Sequence, residues 1–175
     1  LGGIANISVL PAGQPESVYG FDTGPANLLL DAWCQLHTAQ PFDQDGAWAA
    51  QGAINVSLLN ALLAHDYFKQ EAPKSTGRED FHLAWLQQLI TKLERSIRPV
   101  DVQATLVRLT AQSVADSIQH TGLSSGELYI CGGGAYNQTL WQDLAALLPD
   151  WTLHSAAELG LAPTWVEAAA FAWLA

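Results

Sequence analysis

Positive charge is scarce in this chain. Seven Lys and Arg residues stand against 17 Asp and Glu in 175 residues, a formal net charge of −10. That balance argues against a nucleic-acid backbone or an anionic membrane as the main partner. It leaves phosphate ligands open, because backbone N–H groups hold anions without net positive charge. Cysteine is nearly absent: Cys34 and Cys131 have no metal-ligand spacing. Two thiols permit one disulfide, but a reduced, cytoplasmic protein is the expectation at this size. No apolar run reaches the ~18 residues of a membrane span, and no signal peptide is visible. His37, His65, His82, His120 and His154 are scattered without paired spacing, so no metal site is expected. There is no Gly-x-Ser-x-Gly elbow, no nucleophilic Cys motif, no internal repeat and no low-complexity tract. Methionine is missing altogether; the chain opens with Leu1 directly on a glycine pair and stops inside a helical pattern at Phe171–Ala175. We expect it to be a portion of a longer protein.

What is present is a chain 49% apolar, enough for one domain or one lobe of a larger enzyme. Its organising stretch is Gly20-Phe21-Asp22-Thr23-Gly24-Pro25-Ala26-Asn27. Val18–Phe21 suits a strand. Pro25 suits the first position of a helix, whose apolar residues Leu28, Leu29, Ala32, Trp33 and Leu36 recur at helical spacing. Asp22 is therefore expected at a strand end, facing free N–H groups of a helix N-terminus. A catalytic carboxylate beside a phosphate suits that position, and so does a simple N-cap made by Asp22 and Thr23. Upstream, Gly2 and Gly3 lead into the strand Ile7–Leu10, which reads as the partner of the Asp22 strand in an antiparallel hairpin.

Downstream the pattern turns helical. Pro41–Gly46 reads as a solvated turn and cap, since it lacks the closing Glu of a calcium loop. Trp48–Leu63 reads as one helix crossing Gly52. Thr76-x-x-Glu79 reads as a capping box for a helix carrying Phe81, Ala84, Trp85, Leu86 and Leu89. Lys74 and Arg78, two of the few cations, share that glycine-containing loop and suit an anion contact. Asp101 is expected to cap a long helix that ends at Thr121 before Gly122. Residues 47–121 thus read as almost entirely helical, an insertion between parts of a sheet. Then Glu127–Cys131, a strand, runs into Gly132-Gly133-Gly134 and a helix over Asn137–Leu148. Strand, glycines and helix suit a nucleotide-binding crossover, although the spacing fits neither the dinucleotide fingerprint nor the P-loop. Trp151–His154 reads as the last strand. Thr164-x-x-Glu167 reads as a capping box for a final helix whose Val166, Ala169, Ala170 and Trp173 face the core, with small Ala168–Ala170 beneath a site.

Six motifs occur in order: Leu-Gly-Gly-Ile-Ala-Asn, Gly-Phe-Asp-Thr-Gly-Pro-Ala-Asn, Pro-Lys-Ser-Thr-Gly-Arg-Glu, Asp-Val-Gln-Ala-Thr-Leu, Cys-Gly-Gly-Gly-Ala and Val-Glu-Ala-x-Ala-Phe-Ala-Trp-Leu-Ala. From Leu1 to Ala175 the chain resembles the anhydro-N-acetylmuramic acid kinases of bacterial cell-wall (peptidoglycan) recycling. The resemblance implies the actin, hexokinase and heat-shock ATPase superfamily: an α/β, ribonuclease-H-like lobe with a mixed sheet built of a hairpin plus βαβ units and a helical insertion at about 43–122. Residues 1–175 would be the C-terminal lobe of a two-lobe kinase, its sheet completed by a strand leading into Leu1. The implied reaction consumes ATP, with Mg²⁺, and converts 1,6-anhydro-N-acetylmuramic acid plus water to N-acetylmuramic acid 6-phosphate and ADP. Asp22 matches the general base. Asp22, Thr23 and Glu167 would contact the sugar, and Gly2, Gly3, Gly132, Gly133, Gly134 and Asn137 the nucleotide. The resemblance gives no role to Lys74–Glu79. It favours a homodimer in the cytoplasm. Ala26 and Thr164-Trp165 depart from the family pattern. Another small-molecule kinase of the superfamily, or a non-catalytic ATP-binding module, are the alternatives. Without the other lobe, residues 1–175 are expected neither to turn over ATP nor to fold stably.

Overall fold

Alternation of side chains puts Ala5, Ile7 and Val9 inside and Asn6 and Ser8 outside along Ile4–Val9 (β1). This strand pairs antiparallel with Tyr19–Pro25 (β2), from Ile4 opposite Pro25 to Val9 opposite Tyr19, with a register shift between Ala5 and Asn6. The computed structural model describes residues 1–93 and 96–174. Its helices are Asn27–Thr38 (α1), Val56–Leu63 (α2), Leu83–Lys92 (α3), Pro99–His120 (α4), Gln138–Leu147 (α5) and Val166–Leu174 (α6). The remaining strands, Gly126–Ile130 (β3) and Trp151–Ser155 (β4), pair in parallel. Parallel pairing requires a crossover, and α5 supplies it. The chain is α/β as expected, with one βαβ unit. Its strands form two separate two-stranded sheets rather than one mixed sheet.

The core is built around α4. Fourteen of its 22 residues are buried. From Asp101 to Ile118 only Asp101, Arg108, Gln112 and Asp116 interrupt the burial, and they form one thin stripe at helical spacing. The hairpin, α1, α2 and α5 all pack on this helix. Trp33 Nε1 ties α1 to it by donating to Pro99 O at 2.8 Å. Thr110 Oγ1 ties the hairpin to it by donating to Pro25 O at 3.0 Å.

Several local expectations are corrected. β2 runs on through Asp22 to Pro25, so Asp22 lies within a strand and Pro25 ends it rather than starting the helix. Trp48–Leu63 is broken. A short turn over Ala49–Gln51 stops at Gly52, where any Cβ would clash with Val100 O, and α2 starts afresh with Asn55 Oδ1 accepting from Leu58 N. Among the described residues Thr76 and Glu79 cap no helix; α3 begins later, with His82 Nδ1 accepting from Trp85 N at 3.2 Å. Asp101 sits in the first turn of α4 rather than before it, bonded by Arg98 and by Ala53 N. Residues 94 and 95 of the expected helical span, and Ala175 of the expected final helix, lie outside the described residues. At α6 no Thr164–Glu167 hydrogen bond forms among the described residues; a capping box is made instead by Ser155 and Glu158. Val166 and Ala169 are half-buried, but Ala170 is exposed and Trp173 is 86% exposed, since no described element packs over that face of α6.

Candidate functional site

The Gly2-Gly3 segment, the start of α1 and the glycine loop are stitched together by backbone bonds. Gly3 O accepts from Ala26 N and Leu28 N, and Gly2 O from Asn27 N, each at 3.0 Å. The N–H groups expected to be free for an anion at the start of α1 are therefore taken by the chain itself. This is the main correction to the local sequence reading. A helix N-terminus needs partners for its first N–H groups, and two carbonyls freed by the bend at the glycine pair supply them. Asp22 and Thr23 play no part in capping α1, which has no side-chain cap.

Leu1 O accepts from Gly134 N at 3.0 Å and from Asn27 Nδ2 at 3.4 Å, while Leu1 N donates to Cys131 O at 2.8 Å. This explains two of the three glycines by packing. A Cβ on Gly132, whose φ is +79°, would meet Leu1 O at 2.5 Å, and one on Gly134 would meet the Leu1 side chain at 2.7 Å. Gly132 N donates to Pro163 O at 2.8 Å, which moors the turn ahead of α6 to the same loop. Among the described residues only Gly133 of the three keeps its N–H off other backbone carbonyls. Asn137 is buried, and its Oδ1 caps α5 by accepting from Leu140 N at 3.0 Å. Glu167 is exposed.

Beside this junction lies a cleft of about 350 Å³ lined by Asn27, Leu30, Asp31, Phe42, Gly133 and Asn137, among others. Asp43 and Asp45 also line it. Asp43 is committed as a cap, accepting from Trp48 N and Ala49 N at 2.8 and 2.9 Å, so Pro41–Gly46 is the turn and cap that was expected. Among the described residues no group of three or more His, Cys, Asp or Glu could hold a metal ion. Asp31 is the residue that sequence reasoning missed. On α1 it reads as an ordinary polar position, yet burial raises its pKa from 3.8 to about 6. Cys34, a buried free thiol nearby, is likewise pushed up by burial.

Asp22 lines a different, shallow hollow of about 360 Å³, with Gly20, Phe21, Pro73, Lys74 and Ser75. Its Oδ2 accepts from Ser75 Oγ at 2.9 Å and from Thr76 N at 3.1 Å. Its main chain is held as well: Asp22 N donates to Lys74 O at 3.0 Å, and Tyr67 Oη donates to Asp22 O at 2.6 Å. Asn6 lies opposite it across the hairpin. Thr23, next along the strand, is buried and its hydroxyl donates to Ala5 O at 3.3 Å. Further along the same strand Pro25 pairs with Ile4 beside the glycines, about 10 Å from Asp22. Of the expected anion contacts, Lys74 turns to Tyr67. Its Nζ donates to Tyr67 O at 3.2 Å and lies 4.7 Å from the ring centroid, and burial lowers its pKa. Arg78 is exposed and forms no ion pair among the described residues.

A family profile described as anhydro-N-acetylmuramic acid kinase matches residues 1–175. Curated proteins named anhydro-N-acetylmuramic acid kinase are similar along the whole chain. That of Acinetobacter baylyi is 51% identical over 185 residues, covering 100% of this chain and 49% of its own length. That of Neisseria gonorrhoeae is 55% identical over 176 residues, covering 100% and 47%. That of Shewanella baltica is 52% identical over 176 residues, again covering 100% and 47%. The chain spans about half the length of the curated relatives it matches.

Proposed function

This chain belongs to the anhydro-N-acetylmuramic acid kinase family, and from that premise we propose that it is the C-terminal, ribonuclease-H-like lobe of a cytoplasmic two-lobe kinase. The reaction is conversion of 1,6-anhydro-N-acetylmuramic acid, water and ATP to N-acetylmuramic acid 6-phosphate and ADP in cell-wall recycling. The observation that carries this reading is the state of Asp22. One carboxylate oxygen is tied down by two donors, while Oδ1 accepts no hydrogen bond among the described residues and the group borders an open hollow.

Such a carboxylate can take a proton from water as that water attacks C1, where positive charge develops in the transition state. The C1–O6 bond breaks with its electron pair left on O6, O6 bonds the γ-phosphorus, and the bond from that phosphorus to the bridging oxygen breaks with its pair on ADP. The water proton stays on Asp22 until it is released to solvent. Positioning supplies most of the remaining acceleration in phosphoryl transfer. Here it falls to the junction of Gly2, Gly3, Asn27 and Gly133, beside a cleft of about 350 Å³, the size class of small-molecule sites. Gly133 N–H is the donor that the loop leaves available to phosphate. Glu167 contacts the sugar in this reading. Thr23 fixes the strand beneath Asp22 from its buried position rather than touching substrate. Mg²⁺ held by the nucleotide phosphates would neutralise their charge. A homodimer is part of the proposal by family likeness.

The test is Asp22→Asn in the full-length protein. Sugar phosphorylation should be lost while ATP still binds; turnover at the wild-type rate would remove Asp22 from the base role. Thermal stabilisation by the anhydro sugar but not by glucose or acetate separates this kinase from others of its superfamily.

A further inference from the structure

We propose that the segment Pro73–Asp80 is a positioning arm for Asp22, in which Ser75 and Thr76 hold Oδ2 so that Oδ1 is the oxygen presented to the reacting water. The inference rests on the reading of Asp22 as the base and gives a role to a motif that the sequence leaves unexplained.

A carboxylate on a strand can rotate about both side-chain bonds. Two donors converging on one oxygen remove that freedom and differentiate two otherwise equivalent atoms. Ser75 Oγ at 2.9 Å and Thr76 N at 3.1 Å are those donors, and they come from a loop 53 and 54 residues further along the chain. Nothing in local secondary structure calls for the contact. The strand beneath is fixed at the same place, by Lys74 O accepting from Asp22 N and by Tyr67 Oη donating to Asp22 O. The group is thus held at its backbone on two sides and at one carboxylate oxygen.

The arm has its own anchors. Thr76 Oγ1 donates to Asp80 Oδ2 at 2.6 Å. Lys74 binds the Tyr67 carbonyl and covers the Tyr67 ring. Tyr67 is buried edge-on against Phe81, itself fully buried, with ring centroids 5.7 Å apart. A rigid aromatic core therefore stands behind a loop that ends on one carboxylate. A loop that merely covered the edge of β2 would need only the main-chain bond from Asp22 N to Lys74 O. The Ser75 hydroxyl is surplus to such a covering role. It belongs to an exposed residue, and its one hydrogen bond among the described residues goes to Asp22.

Geometry at a reacting centre is costly to lose, and small misplacements reach about 100-fold in rate. In the full-length protein, Ser75→Ala should lower kcat by about 10–100-fold, with KM for the anhydro sugar changed by no more than about threefold, because uniform binding is untouched. The unfolding midpoint should not move, since an exposed hydroxyl is removed, and Ser75→Thr should restore most of the lost rate by returning the donor. Ser75→Ala with wild-type kcat, beside an inactive Asp22→Asn, overturns the positioning arm and leaves the base intact. A loss of rate matched by a lowered unfolding midpoint and not restored by Thr also overturns it, in favour of a structural role. An active Asp22→Asn overturns the base assignment and the arm with it.

Discussion

Asp31→Asn should make this protein more stable, and only above the acid range. Burial along the cleft raises the Asp31 carboxyl from 3.8 to about 6. Between those values the folded state keeps the proton that the unfolded chain has lost. The folded state therefore binds more protons, and stability falls as pH rises through that window, then levels off. Complete conversion of the shift gives at most about 3 kcal/mol. Asp31 is only half-buried, and solvent screening reduces that ceiling to about 1 kcal/mol. Asn has no proton to lose. The gain from the substitution should thus be about 1 kcal/mol larger near pH 8 than near pH 4, measured by urea unfolding of wild-type and variant full-length protein across that range. Comparing the two ends cancels any contact that Asn loses at every pH. A difference between the proteins that stays constant with pH would refute the desolvated carboxylate at this cleft.

Three further outcomes follow from the packing. Tyr67→Phe deletes the donor to Asp22 O at 2.6 Å and should cost about 1–2 kcal/mol in chemical unfolding, together with part of kcat; an unchanged unfolding midpoint would contradict the bond. Gly132→Ala forces a Cβ toward Leu1 O, at 2.5 Å, from a backbone with φ +79°; a loss of about 1–3 kcal/mol is expected by calorimetry, and a neutral result would mean that the Leu1 segment does not lie against the loop. Gln103 is 0% exposed and neither of its amide atoms has a partner among the described residues; Gln103→Met, close in shape, should stabilise by about 1–3 kcal/mol, whereas destabilisation would reveal a partner for that amide.

Legibility from sequence followed distance along the chain. The hairpin could be read because its alternation and its glycines are local, and the β3–α5–β4 unit because apolar runs, glycines and a helical stretch follow one another directly. Asp22 stood out for the same reason. What could not be read were contacts between remote segments. The Gly2 and Gly3 carbonyls occupy the start of α1 across more than 20 residues, and no periodicity announces that. Thr76 and Glu79 look like a helix cap because Thr and Glu before an apolar run usually are. Thr76 N and the neighbouring Ser75 hydroxyl bind Asp22, and the helix finds its cap at His82 instead. Asp31 looks like surface because a helix pattern records which face is apolar, not whether another loop covers its polar edge. Trp173 misleads in the opposite sense: an apolar helix reads as facing inward, and in this chain nothing described covers it.

The thin stripe on α4 limits how this family can change length. A single inserted residue near Val107 would turn everything after it by about 100°. Arg108, Gln112 and Asp116, the positions that break the burial of its middle, would be driven into the hydrophobic interior, and the hairpin and α5, which both pack on this helix, would lose their seats. Insertions and deletions should therefore be confined to connections such as the stretch between α2 and α3, leaving this one helix with the same number of residues in every working relative.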